Sequence, residues 1–413
     1  MNGPSSAPRA QIRATVLVGA GTLAAGLLTG CAKDAPQDTM QPAGSNAQEI
    51  DNLQRPIFIV AAIVGVIVFA AIAYAVWRFR DRGQEMPEQT HGRPALEIAL
   101  TALPALILIV IAIPTVSTVF SLADTDDTEC VVNVTGQQWW WEFHYPVQPG
   151  CIEGGITRPI VTSGQIVIPT GTDVLTQITS RDVIHSFWIP RLNGKRDAVP
   201  GRVHTSRLQA DEPGMYAGQC TEFCGLSHAR MRMEAVALAP ADFEAWVDNQ
   251  LRDVASPVVG SLAATGEGTY ITQCSRCHQV NGLTREGDDG AAVPVLANPD
   301  LYVVSGAAPN LTNLMTRTTF AGATWELLTD ECRDRLLDAS PEEFGAIYLE
   351  GVTPECLNEF ELREWLRNAP EKKPMYADED NLEATDGLYR GMPNLNLSES
   401  QIDELIAYLL ERR

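Results

Sequence analysis

Between Gly218 and Met231 the stretch GQCTEFCGLSHARM spaces two thiols, an imidazole and a thioether as C-x3-C-x3-H-x2-M. Soft thiolate and thioether donors combined with imidazoles select copper in a redox role. Two bridging thiolates can hold two coppers close enough to share one electron. Sharing spreads the charge, so little geometry changes on oxidation and transfer is fast. Two blander chemistries fit parts of the pattern: a disulfide between Cys220 and Cys224, or structural zinc on two cysteines and two histidines, counting His185 upstream. Neither uses Met231. A second stretch, TYITQCSRCHQV, carries Cys274-Ser-Arg-Cys277-His278. C-x-x-C-H lets both cysteines make thioethers to haem vinyl groups while the following histidine binds iron. A redox dithiol or a zinc fragment competes with it, but no βαβ pattern follows. A low-spin haem for electron transfer wants a sixth ligand, and methionine raises its potential. Met392, Met375 in KKPMY and Met315 in NLMTR are the candidates.

Both motifs lie beyond segments that place them outside the cytosol. Arg9 and Arg13 precede an apolar run, Ala14 to Leu28, followed by LLTGC ending at Cys31. This reads as an export signal over residues 1–30, and small residues before a cysteine resemble the bacterial lipobox, which implies cleavage before Cys31 and its lipidation. An uncleaved leader with an incidental cysteine is the alternative. Residues 31–52 read as a Pro/Gln/Asp-rich tether without a core-forming pattern. Within 53–123, the uncharged runs Ile57–Val76 and Ile98–Ala123 each exceed the ~18 residues of a credible membrane helix. Arg78, Arg80, Arg82 and Arg93 lie between them, so the short loop is cytoplasmic and both ends of the hairpin are outside.

From residue 124 to 251, short alternating segments rich in β-branched residues (CVVNVTG, QIVIPTG, DVLTQITS, RVHTSRLQA, RMEAVALAP) predict an all-β sandwich or barrel. It is closed by an amphipathic helix, PADFEAWVDNQL, with Phe243, Trp246, Val247 and Leu251 at helical spacing. Residues 252–262 read as a linker. From 263 to 413 helical patterns dominate, ending in a helix that opens with Ser398 and Gln401 as a capping box and aligns Ile402, Leu405, Ile406 and Leu409. Cys130, Cys151, Cys332 and Cys356 belong to no metal motif, and an oxidising compartment permits Cys130–Cys151 and Cys332–Cys356 bridges, a pairing the sequence leaves open. The chain carries 52 acidic and 30 basic residues, a net charge of −22, which excludes a nucleic-acid binder. His91, His144 and His204 have no partner pattern and read as structural or solvated.

DVIHSFWIP around His185, DAVPGR after it, and MYAGQCTEFCGLSHARM resemble the CuA domain of cytochrome c oxidase subunit II, as does the order of two membrane helices before a β-domain. The resemblance runs from about Leu53 to Leu251. It implies a cupredoxin-like sandwich whose binuclear copper is held by His185, Cys220, Cys224, His228, Met231 and the backbone carbonyl of Glu222. It also implies that the Glu222 side chain helps hold magnesium against subunit I. GQQWWWEF, Gly136 to Phe143, matches the family's aromatic patch, with Trp139 at the electron-accepting tryptophan and Trp140 where tyrosine is common. Core packing is the competing role for any one of these tryptophans.

The C-terminal segment resembles an all-α class I cytochrome c domain. There a loop methionine precedes the last helix, which favours Met392, and a proline carbonyl orients the haem histidine, a place matched by Pro309. The His278-to-Met392 spacing is long, implying an insertion at about 323–381. The expected architecture is therefore multidomain: a two-helix transmembrane hairpin, an all-β cupredoxin-like sandwich and the all-α class I cytochrome c domain. The expected function is that of subunit II of a bacterial haem–copper oxidase, with haem c on the same chain feeding CuA and then subunit I, for oxygen reduction coupled to proton pumping. Expected partners are subunit I and other oxidase subunits, a cytochrome c or bc-type donor, and membrane lipid. A CuA subunit of a nitrogen-oxide reductase, or a copper-delivering membrane lipoprotein, are the rival expectations.

Overall fold

The two apolar runs form the centres of two long helices, α1 (Ser45–Arg78) and α2 (Pro94–Ala123). Their apolar faces are exposed along almost the whole length, as expected of surfaces meant for lipid or another membrane subunit. Pro56 in α1 and Pro104 and Pro114 in α2 are carried inside the helices. The computed structural model describes residues 35–83, 91–126, 128, 130–286, 292–294, 308–377 and 390–413. The predicted signal segment and Cys31 lie outside the described residues.

One expectation is corrected here. The tether does not run free to residue 52, because α1 already begins at Ser45 and buries Asn46, Ala47 and Asp51. Ala43 donates to the Arg191 carbonyl and accepts from the Asp211 N–H, both at 2.8 Å. The polar composition that suggested a tether instead supplies hydrogen bonds to the β-domain.

That domain is a sandwich. Strands β1 (Cys130–Gln137), β2 (Trp140–Tyr145), β3 (Ile160–Ser163), β5 (Val174–Ser180) and β8 (His204–Leu208) form one sheet in the order β3-β2-β1-β5-β8. Strands β4 (Gln165–Pro169), β10 (Arg232–Leu238) and β9 (Gly214–Gln219) form the other. Alternation decides the faces: Cys130, Val132 and Val134 of β1 are buried while Val131, Asn133 and Thr135 are half-exposed. Tyr145 ties the sheets, its hydroxyl donating to the Val167 carbonyl at 2.8 Å and accepting from the Val167 N–H at 2.7 Å. A small hairpin, β6 (His185–Phe187) with β7 (Arg196–Ala198), rises from one end. The predicted helix is α3 (Pro240–Leu251), and its Trp246 packs on Tyr145 at 5.3 Å between ring centroids.

The C-terminal part is built on two crossing helices, α4 (Leu262–Gln273) and α9 (Glu399–Leu410). Gly266 permits the crossing, since a Cβ there would lie 2.0 Å from the Glu404 carbonyl oxygen. Tyr270 and Tyr408 meet beside it at 5.3 Å. The capping box of Ser398 and Gln401 is formed, and Ile402, Leu405, Ile406 and Leu409 are buried. Both disulfides are present, Cys130–Cys151 and Cys332–Cys356. The segment is not purely helical: Thr284–Glu286 pairs with Ala292–Pro294, and Thr319–Phe320 with Trp325–Glu326. The second hairpin turns through Ala321, Gly322 and Ala323, all at positive φ, a turn that periodicity does not announce.

The insertion folds as α5 (Asp330–Leu337), α6 (Pro341–Leu349), α7 (Glu359–Arg367) and α8 (Ala369–Lys372). It faces inward as well as outward. Arg363 and Arg367 of α7 pair with Glu399 of α9, and the Tyr348 hydroxyl of α6 donates to Gln165 Oε1 of the sandwich at 3.3 Å; just before the insertion, the Thr318 N–H donates to the same oxygen at 3.1 Å. Gln250 of α3 donates to Thr316 and accepts from Asn313, each at 2.9 Å. The β-domain and the C-terminal part thus share a polar seam.

Candidate functional site

The segment between β9 and β10 folds back on itself, the Cys220 N–H donating to the Met231 carbonyl at 2.9 Å. This closure brings the two ends of the sulfur-rich motif together. Cys220 Sγ lies 3.8 Å from Cys224 Sγ, 3.9 Å from His185 Nδ1 and 3.3 Å from the Glu222 carbonyl oxygen. Cys224 Sγ lies 3.5 Å from His228 Nδ1 and 3.8 Å from Met231 Sδ. All six atoms of the predicted ligand set therefore converge. The two thiols are free, which removes the disulfide alternative. At about 2.3 Å per metal–thiolate bond, the length found with zinc, sulfurs so placed can both reach one ion. A second imidazole and a thioether complete a soft set better suited to copper than to zinc.

Each ligand is aimed by its neighbours. His185 Nε2 lies 2.8 Å from Asp182 Oδ1, which leaves Nδ1 toward the sulfurs. Burial opposes a charged His185 ring, but Asp182 and Cys220 outweigh it and raise its pKa. Gly136 of β1 makes room, since a Cβ there would sit 2.9 Å from His185 Cδ2. The hydrogen bond from Cys224 is the largest influence pulling the Cys220 thiol down, while the same contact pushes the Cys224 thiol up. Glu222 and Phe223 are exposed on the outer surface of the loop, Phe223 at 77 %. Asp182 escaped the sequence reading although its place three residues before His185 signals an orienting carboxylate.

Beside this loop lies a cavity of about 1050 Å³, its solvent-open mouth included. Its wall contains Cys274, His278, Pro309, Met375 and Met392. The turn after α4 carries the C-x-x-C-H motif, and the His278 N–H donates to the Cys274 carbonyl at 3.0 Å. His278 Nδ1 lies 2.8 Å from the Pro309 carbonyl oxygen, which leaves Nε2 for a ligand. Burial lowers the His278 pKa and pushes the Cys274 thiol up to about 12. A redox dithiol needs a depressed thiol pKa, so the dithiol alternative fits poorly. Met315 is buried elsewhere, its N–H donating to the Arg412 carbonyl, and does not line the cavity. Met375 and Met392 both do.

The cavity and the sulfur loop share a wall. Gln138, Trp139 and Trp140 line the cavity. The Trp139 indole N–H donates to the Cys224 carbonyl at 3.1 Å, and Gln138 Nε2 donates to the same oxygen at 2.7 Å. Tyr376 packs on Trp139 at 5.2 Å. The insertion supplies Leu362, Trp365, Leu366, Lys373 and Met375 to the cavity wall. Neither Lys373 nor Arg317 stood out in the sequence, where a lone cation reads as solvated. His144 meets Asn133, His204 meets the Asp197 carbonyl, and His91 is exposed, as expected of structural or solvated rings.

A family model for the cytochrome c oxidase subunit II periplasmic domain matches residues 130–237, and one for the subunit II transmembrane domain matches residues 34–118. Cytochrome c oxidase subunit 2 of Alkalihalophilus pseudofirmus is 39% identical over 266 residues, covering 62% of this chain and 74% of that one. The chain belongs to the cytochrome c oxidase subunit II family. The Cereibacter sphaeroides subunit 2 is 32% identical over 300 residues, covering 62% and 98% of the two chains. The Bacillus subtilis subunit 2 is 31% identical over 290 residues, covering 66% and 78%. As a subunit II, the chain is part of a proton-translocating oxidoreductase, partners with subunit I, and binds CuA through its Cys/His group. Two membrane helices precede the copper domain, which fits its place on the outer face.

Proposed function

We propose that this subunit II carries two electron carriers on one chain: CuA on His185, Cys220, the Glu222 carbonyl, Cys224, His228 and Met231, and a haem c on Cys274, Cys277 and His278 with Met392 as sixth ligand. Bound there, the groups supply one-electron redox chemistry, and the proposed traffic runs from a cytochrome c or bc-type donor through haem to copper and then to subunit I for oxygen reduction. The observation that carries this reading is the shared wall. Trp139 borders the cavity on one side and is hydrogen-bonded to the Cys224 carbonyl on the other. Trp139 is thus the proposed point where electrons reach the copper loop.

The chain's own residues do the positioning. Pro309 holds the His278 ring so that one nitrogen faces the cavity, and Asp182 does the same for His185. Leu362, Trp365 and Leu366 of α7 and Leu405 and Leu409 of α9 give the cavity an apolar wall. A donor fixed beside its acceptor acts at high effective concentration, so no diffusive encounter limits this step. Cleavage before Cys31 with its lipidation, and a magnesium ion at Glu222 against subunit I, belong to the same proposal. Membership in the oxidase family favours this reading over a nitrogen-oxide reductase or a copper-delivery lipoprotein.

Metal analysis of the purified oxidase tests it. Two coppers and one covalent haem per subunit II are expected, with a mixed-valence copper signal in electron paramagnetic resonance. Cys220→Ser is expected to abolish the paired-copper signal while leaving the covalent haem. A subunit II without covalent haem would overturn the fused-donor reading, and a retained paired signal in the variant would overturn the bridging thiolate.

A further inference from the structure

The copper loop is gripped from outside its own domain. Met231 is fully buried, and the backbone on both sides of it is held by the C-terminal part. The Arg230 carbonyl accepts from Lys373 Nζ at 2.9 Å and from Thr324 Oγ1 at 2.7 Å. The Arg232 N–H donates to the Gly322 carbonyl at 2.9 Å. Beside His228, the Ser227 hydroxyl donates to the Pro374 carbonyl. Lys373 is 2% exposed, and its Nζ also donates to the carbonyls of Trp139 and Ala321 at 2.8 and 2.7 Å. Burial lowers its pKa to about 7, but three carbonyl acceptors require three N–H donors, which only the ammonium form has. Cys224 is among the groups that favour that charged form. Gly322, at positive φ, is required by the fit: a Cβ there would lie 2.6 Å from the Trp139 carbonyl oxygen and 2.9 Å from Lys373 Nζ.

Resting on the assignment of Met231 to CuA, we propose that the C-terminal part is a collar completing the copper loop, with Lys373 as a positioning residue that fixes Met231 and sets the copper potential. The peptide joining Arg230 to Met231 is held at both ends. Lys373 and Thr324 hold its carbonyl, and its N–H donates to the His228 carbonyl at 3.1 Å. A thioether is a weak, long ligand to copper, so its backbone must be placed by something other than the metal. Groups that orient a ligand from behind tune both the hold on the metal and its potential. A buried positive charge beside the loop also favours the reduced, less positive copper pair. The ligands thus come from one part of the chain while the hold on two of them comes from another. Nothing in this grip depends on what fills the cavity.

The test uses the full chain in the assembled oxidase, with Lys373→Met and Thr324→Val. Metal analysis reads copper, electron paramagnetic resonance reads the hyperfine pattern of the paired copper, and potentiometry reads its potential. Lys373→Met is expected to keep the copper, change the hyperfine pattern and lower the reduction equilibrium about tenfold, about 59 mV for one electron. Thr324→Val removes a bond to the same carbonyl without removing charge. It is expected to change the hyperfine pattern with a smaller shift in potential. An unchanged pattern together with an unchanged potential in copper-loaded Lys373→Met overturns the assignment. Hydrogen exchange on the unaltered oxidase needs no variant to fold: the Arg232 amide, with Gly322 as its acceptor, is expected to exchange as slowly as the amides of β10. Exchange there at the rate of an open loop overturns the collar. Met231→Leu with an unaltered hyperfine pattern would instead defeat the Met231 assignment itself.

Discussion

Cys220 and Cys224 meet because a closed loop folds their motif back toward His185, and Asp182 fixes which imidazole nitrogen faces them. The spacing of Cys220, Cys224, His228 and Met231 suggested a soft-metal site, and the resemblance to a CuA domain supplied His185 and the full ligand set. The cavity was less legible, because Met375 and Met392 both reach it and spacing cannot choose between them. Met392→Ala is expected to remove the methionine-ligated haem spectrum, and Met375→Ala to retain it; the reverse result in optical spectra would move the ligand to Met375. Lys373 and Arg317 were invisible in the sequence, since burial of a cation is a property of the seam. The Glu234 carboxyl was equally unmarked in the sequence. Burial raises its carboxyl from the usual 4.5 to about 7, against hydrogen bonds from Gln165 and Thr319. The folded state then binds this proton more tightly than the unfolded chain. Its stabilisation is fully present below pH 4.5 and is lost as pH rises through about 7. The ceiling is about 3 kcal/mol, less for the solvent that reaches this half-buried side chain. Glu234→Gln is expected to flatten the decline in stability between pH 5 and 8, measured by denaturant unfolding.

At the level of elements, the β-strands, α3 and α9 followed their patterns because one face of each meets a core and the other meets solvent. The 31–52 tether did not follow its pattern, and the insertion at about 323–381, helical as its pattern implied, packs inward where its composition looked solvated. In both, polar residues make tertiary hydrogen bonds rather than face water, and composition cannot distinguish those fates. Asn46 against Asp173, and Lys373 against three carbonyls, are the contacts that decide. The crossing of α4 and α9 hinges on the missing side chain at Gly266. Gly266→Ala is expected to destabilise the C-terminal part by about 1–3 kcal/mol through overpacking. Calorimetry should then show its transition lowered while the copper signal persists.

For the molecule as a whole, charge is unevenly placed: residues 263–413 carry 27 acidic and 12 basic side chains, −15 of the chain's −22. Reduction by a basic soluble donor is expected to slow several-fold between low and 0.2 M salt, as screening shortens to below about 10 Å. A neutral artificial reductant should be indifferent to salt, and equal salt dependence for both would reject electrostatic steering. The anchoring of the membrane helices has a different consequence. Ser45 donates to Gln209, and the Ser121 carbonyl accepts from Arg207 at 2.9 Å, so both spans enter the β-domain without slack. The first twelve residues of α1 rise roughly 18 Å above its apolar run. The metal loop therefore keeps one altitude and one heading over the bilayer, like a lamp on a rigid post, and whatever accepts its electrons can be built to a single fixed address.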